Sequence, residues 1–247
     1  MFLILRPDGK AQQTALAFSK AGLSANACSV IDINQDLKQE QALTSAINSI
    51  EYDAIIVTST YAATTLLTVY SQADATRQTH IASIPIFCIG SSCKDVLSCV
   101  FKHTVVPGTQ NSEGMLLLPS LAAQHLDGKR IAIIKGKNGR DLLNATLRQR
   151  GAATTEFDVY TRNVMQTPNF SKVFVEKEIK CIIATSSEVI DAGLDLLEAK
   201  WLLSKPWIVV SDRIKQYLHQ LGAKHIVVAK GASHQALIKS AMEFKES

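Results

Sequence analysis

Hydrophobic residues along the chain fall into two alternating textures. Short continuous apolar runs occur at residues 2–5 (FLIL), 54–57 (AIIV), 86–89 (IFCI), 131–134 (IAII), 181–184 (CIIA), 207–210 (WIVV) and 226–229 (IVVA). They are rich in β-branched residues and do not alternate with polar ones, as expected of strands buried on both faces of a parallel sheet. Weaker runs at 30–33, 105–106 and 157–160 complete the set. Between most of them lie segments with apolar residues at helical spacing, often closed by a glycine. Leu142, Leu143 and Leu147 followed by Gly151 are one example, with the glycine placed as a helix C-terminal stop. Strand and helix patterns in alternation predict an α/β fold.

The pattern occurs twice. YDAIIVTSTYAATTLL from Tyr52 matches IKCIIATSSEVIDAGL from Ile179, and IPIFCIGSSCKDVL from Ile84 matches KPWIVVSDRIKQYL from Lys205. The strand, loop, helix and glycine of residues 2–22 recur at 131–151, and HTVVPG from His103 recurs as HIVVAKG from His225. A tandem duplication of about 125 residues accounts for all four pairings. The polar stretches NQDLKQEQ and TRNVMQTPN follow corresponding strands in the two repeats and read as linkers, at about 34–40 and 160–168. Cutting at both gives one domain from 1–35 plus 166–247 and a second from 38–162, each with a full set of strands. A single cut near 127 is the simpler alternative. The predicted fold is two similar doubly wound parallel-sheet α/β domains, one of them discontinuous.

At 247 residues, the chain is long enough for two domains of ordinary size, and 47% hydrophobic residues supply a core for each. The net charge of +4 is a mild excess without a run of like charges, which argues against a nucleic-acid binder. Five cysteines (Cys28, Cys88, Cys93, Cys99, Cys181) lie without disulfide-framework or zinc spacing, mostly in or beside apolar runs. That usage points to a reducing cytoplasm. The first apolar run is cut by Arg6 and Pro7 and so does not read as a signal peptide, and no apolar stretch reaches membrane-spanning length.

Ligands of open parallel sheets bind at the carboxyl ends of strands, where helices begin. The duplicated polar motifs all sit there. Thr58-Ser59 and Thr185-Ser186 each close a strand and open a helix, as do Gly90-Ser91-Ser92 and Ser211 with Asp212 and Arg213. Hydroxyls at such positions most often only cap the helix, but their duplication points to a shared anion-binding role. Residues 135–140 (KGKNGR) place Lys135, Gly136, Lys137 and Arg140 around turn amides, which matches neither nucleotide-binding glycine pattern and reads equally as a carboxylate receptor or as a turn with solvated basic residues. Arg6, Pro7 and Gly9 form the corresponding loop of the first repeat. Tyr160 falls at the edge of a linker, where a half-buried tyrosine with one hydrogen bond is the ordinary outcome. No nucleophile elbow or zinc-protease motif occurs, and the six histidines pair with no acidic motif.

LRPDGKAQQ, YDAIIVTSTYA, CIGSSCKDVL, IAIIKGKNGRDLLNATLRQRGA with EFDVYTR, CIIATSSEV and WIVVSDRIKQYLHQLGA, in this order and spacing, resemble the uroporphyrinogen-III synthase family over nearly the whole chain. The resemblance implies two α/β domains joined by a two-stranded hinge, with no metal or cofactor. It implies conversion of hydroxymethylbilane, a polycarboxylate linear tetrapyrrole, to uroporphyrinogen III with loss of water and inversion of ring D. By resemblance Tyr160 assists departure of the hydroxyl, and the strand-end residues bind substrate. A cytoplasmic monomer with a transient contact to the preceding pathway enzyme, and no nucleic-acid or membrane partner, completes the expectation. Leu5 and Cys93 stand where the family commonly has threonine. A non-catalytic hinged binding protein of the same fold is the alternative, and a nucleotide-using enzyme a distant third.

Overall fold

A computed structural model describes residues 1–139, 141–173 and 175–246. The first half runs β1 (Phe2–Arg6), α1 (Lys10–Lys20), β2 (Ala25–Gln35), α2 (Leu37–Ser49), β3 (Ala54–Val57), α3 (Thr60–Gln72), α4 (Ala75–Ser83), β4 (Ile86–Cys88), α5 (Ser91–Leu97), β5 (Thr104–Val105) and α6 (Ser112–Leu116). The second half runs β6 (Arg130–Gly136), α7 (Leu142–Gln149), β7 (Ala153–Phe170), β8 (Cys181–Ala184), α8 (Ser187–Leu196), α9 (Ala199–Ser204), β9 (Trp207–Val209), α10 (Asp212–Gln220), β10 (Ile226–Val228) and α11 (His234–Glu246). The chain divides into two compact units: Met1–Ile33 with Asn163–Ser247, and Asn34–Arg162.

In the first unit the strands lie in the order β10-β9-β8-β1-β2, with parallel pairing. Alternation along β1 sends Leu3 and Leu5 to one face and Phe2 and Ile4 to the other. Leu3 and Leu5 pack with Val189, Ile190, Leu202, Ile214 and Leu218 of α8, α9 and α10. Phe2 and Ile4 pack with Ala11, Ala15 and Phe18 of α1 and Leu237 and Ala241 of α11. Both faces are therefore covered by helices, which is why these strands read as continuous apolar runs. Burial pushes the thiols of Cys28 and Cys181 up to about 12, so both act as core side chains.

In the second unit the order is β7-β6-β3-β4-β5, again parallel. Ile56, Phe87, Ile131 and Ile133 pack with Leu143 and Leu147 of α7 on one face. Ile55, Val57, Ile86 and Ile134 alternate with them and are equally buried, and α3 lies against β6. Here β6, β7, β3, β4 and β5 hold the places that β1, β2, β8, β9 and β10 hold in the first unit. These are the strands the sequence repeat pairs, so the duplication extends to topology.

The polar stretches read as linkers have regular structure. Residues 37–40 form the first turn of α2, whose start is capped by Asp36 accepting from the Lys38 and Gln39 amides. Residues 160–168 lie inside the 18-residue strand β7. Their side chains are mostly exposed, and backbone pairing sustains the strand without an apolar stripe: Asp36 N–H donates to Val159 C=O at 2.9 Å, and Ser171 N–H to Ala27 C=O at 3.0 Å. Beyond β7, the fully buried Asn26 grips the chain in the first unit. Its Nδ2 donates to Lys172 C=O at 2.7 Å, and its Oδ1 accepts from Lys172 N–H at 3.0 Å and Ser171 Oγ at 2.8 Å. Replacing Asn26→Leu keeps the volume and removes three hydrogen bonds. It should destabilise the protein by about 1–3 kcal/mol, the cost of polar groups left unmatched in a partly buried setting, read as a lower midpoint in urea denaturation.

Candidate ligand-binding site at the strand ends

The order β2-β1-β8-β9-β10 reverses direction of progression between β1 and β8, and in the second unit the same point falls between β6 and β3. Ligand-binding crevices open at the carboxyl ends of such strand pairs. Arg6 and Thr185-Ser186 end the pair in one unit, and Gly136 and Thr58-Ser59 end it in the other. Gly90-Ser91-Ser92 and Ser211 follow the neighbouring strands β4 and β9. Arg140 lies outside the described residues.

The serines cap their helices. Ser59 Oγ accepts from Ala62 N–H at 3.1 Å, Ser186 Oγ from Val189 N–H at 3.3 Å and Ser211 Oγ from Ile214 N–H at 3.4 Å. Each has extended backbone, as an N-cap requires. Capping occupies the oxygen as acceptor, while the hydroxyl proton can still be donated to an anion. Thr58 Oγ1 lies 3.4 Å from Ile134 C=O and ties the ends of β3 and β6 together. In α5 the arrangement differs: Gln110 Oε1 accepts from Ser91 N–H at 3.1 Å and lies against Gly90, so a side chain from a distant loop already meets the Ser91 amide.

In the first unit, Arg6 Nη1 donates to Thr14 Oγ1 at 2.8 Å, and Thr14 in turn donates to Lys10 C=O at 2.7 Å. Gln12 Nε2 bridges Asp8 Oδ1 and Ser29 Oγ at 2.9 and 3.0 Å. His234, the first residue of α11, lies close enough to Arg6 and Lys10 to feel their charges. Burial first, then those two cations, hold its imidazole below the usual histidine range.

In the second unit, Lys135 is not an open cation. Its Nζ stands 2.9 Å from Glu156 Oε1 and 3.7 Å from Asp158 Oδ1. Burial pulls its pKa down, but the Glu156 hydrogen bond and the surrounding carboxylates outweigh that and raise it. Adjacent β7 thus brings two carboxylates beside Lys135, a pairing invisible in the local sequence. A register shift between Lys135 and Gly136 then sets Gly136 opposite Tyr160, where regular pairing would give Val159. Such an irregularity re-aims a side chain at a strand end. The Tyr160 ring lies over Gly136, 5.4 Å from the Tyr61 ring, and its carbonyl accepts from Lys137 N–H at 2.8 Å. Tyr160 is only 3% exposed, and its hydroxyl accepts from Arg162 Nη2 at 3.1 Å. Sequence reasoning missed Arg162, Gln110 and His234 because each acts through a partner remote in sequence or through alternation along an unforeseen strand. Among the described residues no group of three or more His, Cys, Asp or Glu could hold a metal ion, and no helix is long and apolar enough to cross a membrane.

These features define a duplicated α/β protein whose two units each gather polar groups at a switch point of parallel strands. Residues 12–239 match the family model described as uroporphyrinogen-III synthase HemD, and the chain belongs to that family. The uroporphyrinogen-III synthase of Escherichia coli K12 is 32% identical over 135 residues, covering 52% of this chain and 54% of the relative. That of Salmonella typhimurium LT2 is 31% identical over 135 residues with the same coverage. The chain thus spans about half the length of the curated relatives it matches. Among solved structures, a mutant uroporphyrinogen III synthase from the extremely thermophilic bacterium Thermus thermophilus aligns over 100% of this chain and 99% of its own, with TM-score 0.59 and 14% identity. The uroporphyrinogen-III synthetase of Helicobacter pylori 26695 aligns over 98% of both chains, with TM-score 0.53 and 15% identity. At these identities the structures establish the shared fold.

Two outcomes follow from the local geometry. A Cβ on Gly136 would lie 2.5 Å from Tyr160 Cζ, whereas one on Gly90 would meet only the flexible end of Gln110, at 2.8 Å. Gly136→Ala should therefore destabilise by about 1–3 kcal/mol and Gly90→Ala by clearly less, as separate thermal melts will show. Because His234 has a depressed pKa when folded, the folded state takes up fewer protons than the unfolded one on acidification. Its contribution to stability is present above the ordinary histidine range and is lost as pH falls through it. His234→Gln should flatten the fall in urea midpoint between about pH 7.5 and about pH 5.5.

Proposed function

We propose that this chain is a lyase that cyclises hydroxymethylbilane to uroporphyrinogen III, releasing water and inverting ring D, in tetrapyrrole and heme biosynthesis. The observation that carries this reading is the family match across residues 12–239. The chemistry at the strand ends agrees with it. A polycarboxylate substrate suits a site of hydroxyls, turn amides and arginines. In the proposed sequence the terminal hydroxyl departs with a proton as water and leaves an azafulvene. Ring carbon attack then forms a spiro intermediate, and fragmentation and reclosure give the inverted product. The linear substrate closes unaided to isomer I. The protein's task is therefore to hold a conformation that disfavours this closure, which is positioning more than acid–base power.

Arg6, Thr58, Ser59, Ser91, Ser92, Thr185, Ser186 and Ser211, with the turn amides around Gly136 and Gly90, are proposed to contact substrate. Tyr160 is reassigned within the proposal. Buried and hydrogen-bonded to Arg162, it is proposed to serve the site by fixing that arginine, and assistance to the departing hydroxyl is the competing role that the Tyr160→Phe variant distinguishes. The same reading makes the protein a cytoplasmic monomer that receives its substrate from the preceding enzyme of the pathway. The test is an isomer assay: generate hydroxymethylbilane in situ, add the protein, oxidise and separate the porphyrins. Isomer III above the spontaneous isomer I background is expected. Isomer I alone from a folded sample would refute the synthase reading and favour a binding protein of the same fold.

A further inference from the structure

Tyr160 is 3% exposed, yet the side chain lying against it, Arg162, is exposed. Alternation along β7 puts residues 160 and 162 on one face. The guanidinium carbon of Arg162 stands 5.6 Å from the Tyr160 ring centroid, within cation–π range, and Nη2 donates to the phenolic oxygen at 3.1 Å. The ring itself is clamped. Gly136 lets the backbone of β6 approach to a distance no side chain would tolerate, Tyr61 flanks the ring at 5.4 Å, and the register shift fixes its place. The rigid element is thus the tyrosine, and the polar group presented at the surface is the arginine.

We propose that Arg162 binds a carboxylate of the ligand and that Tyr160 is its positioning residue. The inference rests on the synthase reading for the identity of the ligand, though not for its chemical class. A guanidinium carries five N–H donors in a plane that matches a carboxylate fork. Stacking against a fixed ring and one hydrogen bond to its hydroxyl set the orientation of that plane before the ligand arrives. Less side-chain freedom is then lost on binding.

Arg162→Ala, Arg162→Lys, Tyr160→Phe, Tyr160→Leu and the pair Arg162→Ala with Tyr160→Leu are compared by two readouts. One is KM and kcat in the isomer assay, and the other is calorimetric titration with uroporphyrin III, an octacarboxylate. Arg162→Ala should raise KM and weaken uroporphyrin binding by about 10-fold or more, with kcat within about 2-fold, and Arg162→Lys should recover part of the loss. Tyr160→Phe keeps the ring and should change KM by no more than about 3-fold, whereas Tyr160→Leu should match Arg162→Ala and the pair be no worse. A fall of about 10-fold or more in kcat for Tyr160→Phe, with unchanged binding in Arg162→Ala, would overturn the inference and return the phenol to direct contact with substrate. Should Tyr160→Leu not fold, the exposed Arg162 variants and Tyr160→Phe still decide. If the wild type gives only isomer I yet binds uroporphyrin III through Arg162, the synthase reading fails and this inference survives. A wild type that binds no octacarboxylate overturns it.

Discussion

A parallel sheet covered by helices on both faces leaves its strands no room for chemistry along their length. In central strands such as β1 and β3 the backbone groups serve the ladder and the side chains enter one core or the other. Leu3, Ile4 and Leu5 of β1 and Ile55, Ile56 and Val57 of β3 are completely buried, on alternate faces. The first residue able to do anything else is the one where the strand stops. Arg6, Thr58, Gly136 and Thr185 occupy those positions. Helix starts follow, with backbone N–H groups that lack intrahelical partners and a dipole that favours negative charge. The fold therefore prescribes where an anionic ligand can bind before any residue is chosen to hold it.

The residues proposed to contact a ligand at these positions also end strands and start helices. Ser59, Ser186 and Ser211 each place the hydroxyl oxygen on the amide three residues ahead. Removing one would weaken the helix start, so a change in ligand binding there would not by itself identify a ligand contact. The Gly136–Tyr160–Arg162 cluster separates the roles more cleanly. The glycine supplies clearance, the tyrosine rigidity and the arginine charge. Gln110 shows the opposite case, a loop side chain lying over Gly90 and bonded to the Ser91 amide.

The duplicated sheet order repeats the strand ends as well. In the first unit β1 and β8 frame the switch point, and in the second β6 and β3 do so. Two copies of one unit thus offer two sets of strand-end donors.

Strand positions, the repeat and the α/β class were legible in the sequence because burial on both faces writes itself locally, as continuous β-branched runs. The runs at 54–57 and 181–184 coincide with β3 and β8 to the residue. The serine caps were legible too, since an N-cap is settled within four residues. The length of β7 was not, because residues 160–168 are mostly exposed and their strand is held by backbone bonds that leave no hydrophobic period. Nor was the neutralisation of Lys135 by Glu156 and Asp158, the grip of Asn26 on Lys172, or the seating of Arg162 on a buried Tyr160. The first two depend on which strand lies beside which, and the seating of Arg162 on where a register shifts. The sequence by itself determined the repeated strand positions and the α/β class, because burial on both faces is written locally. Only the tertiary structure decided which charges at the strand ends are already paired, because pairing is set by neighbours across the sheet and not along the chain.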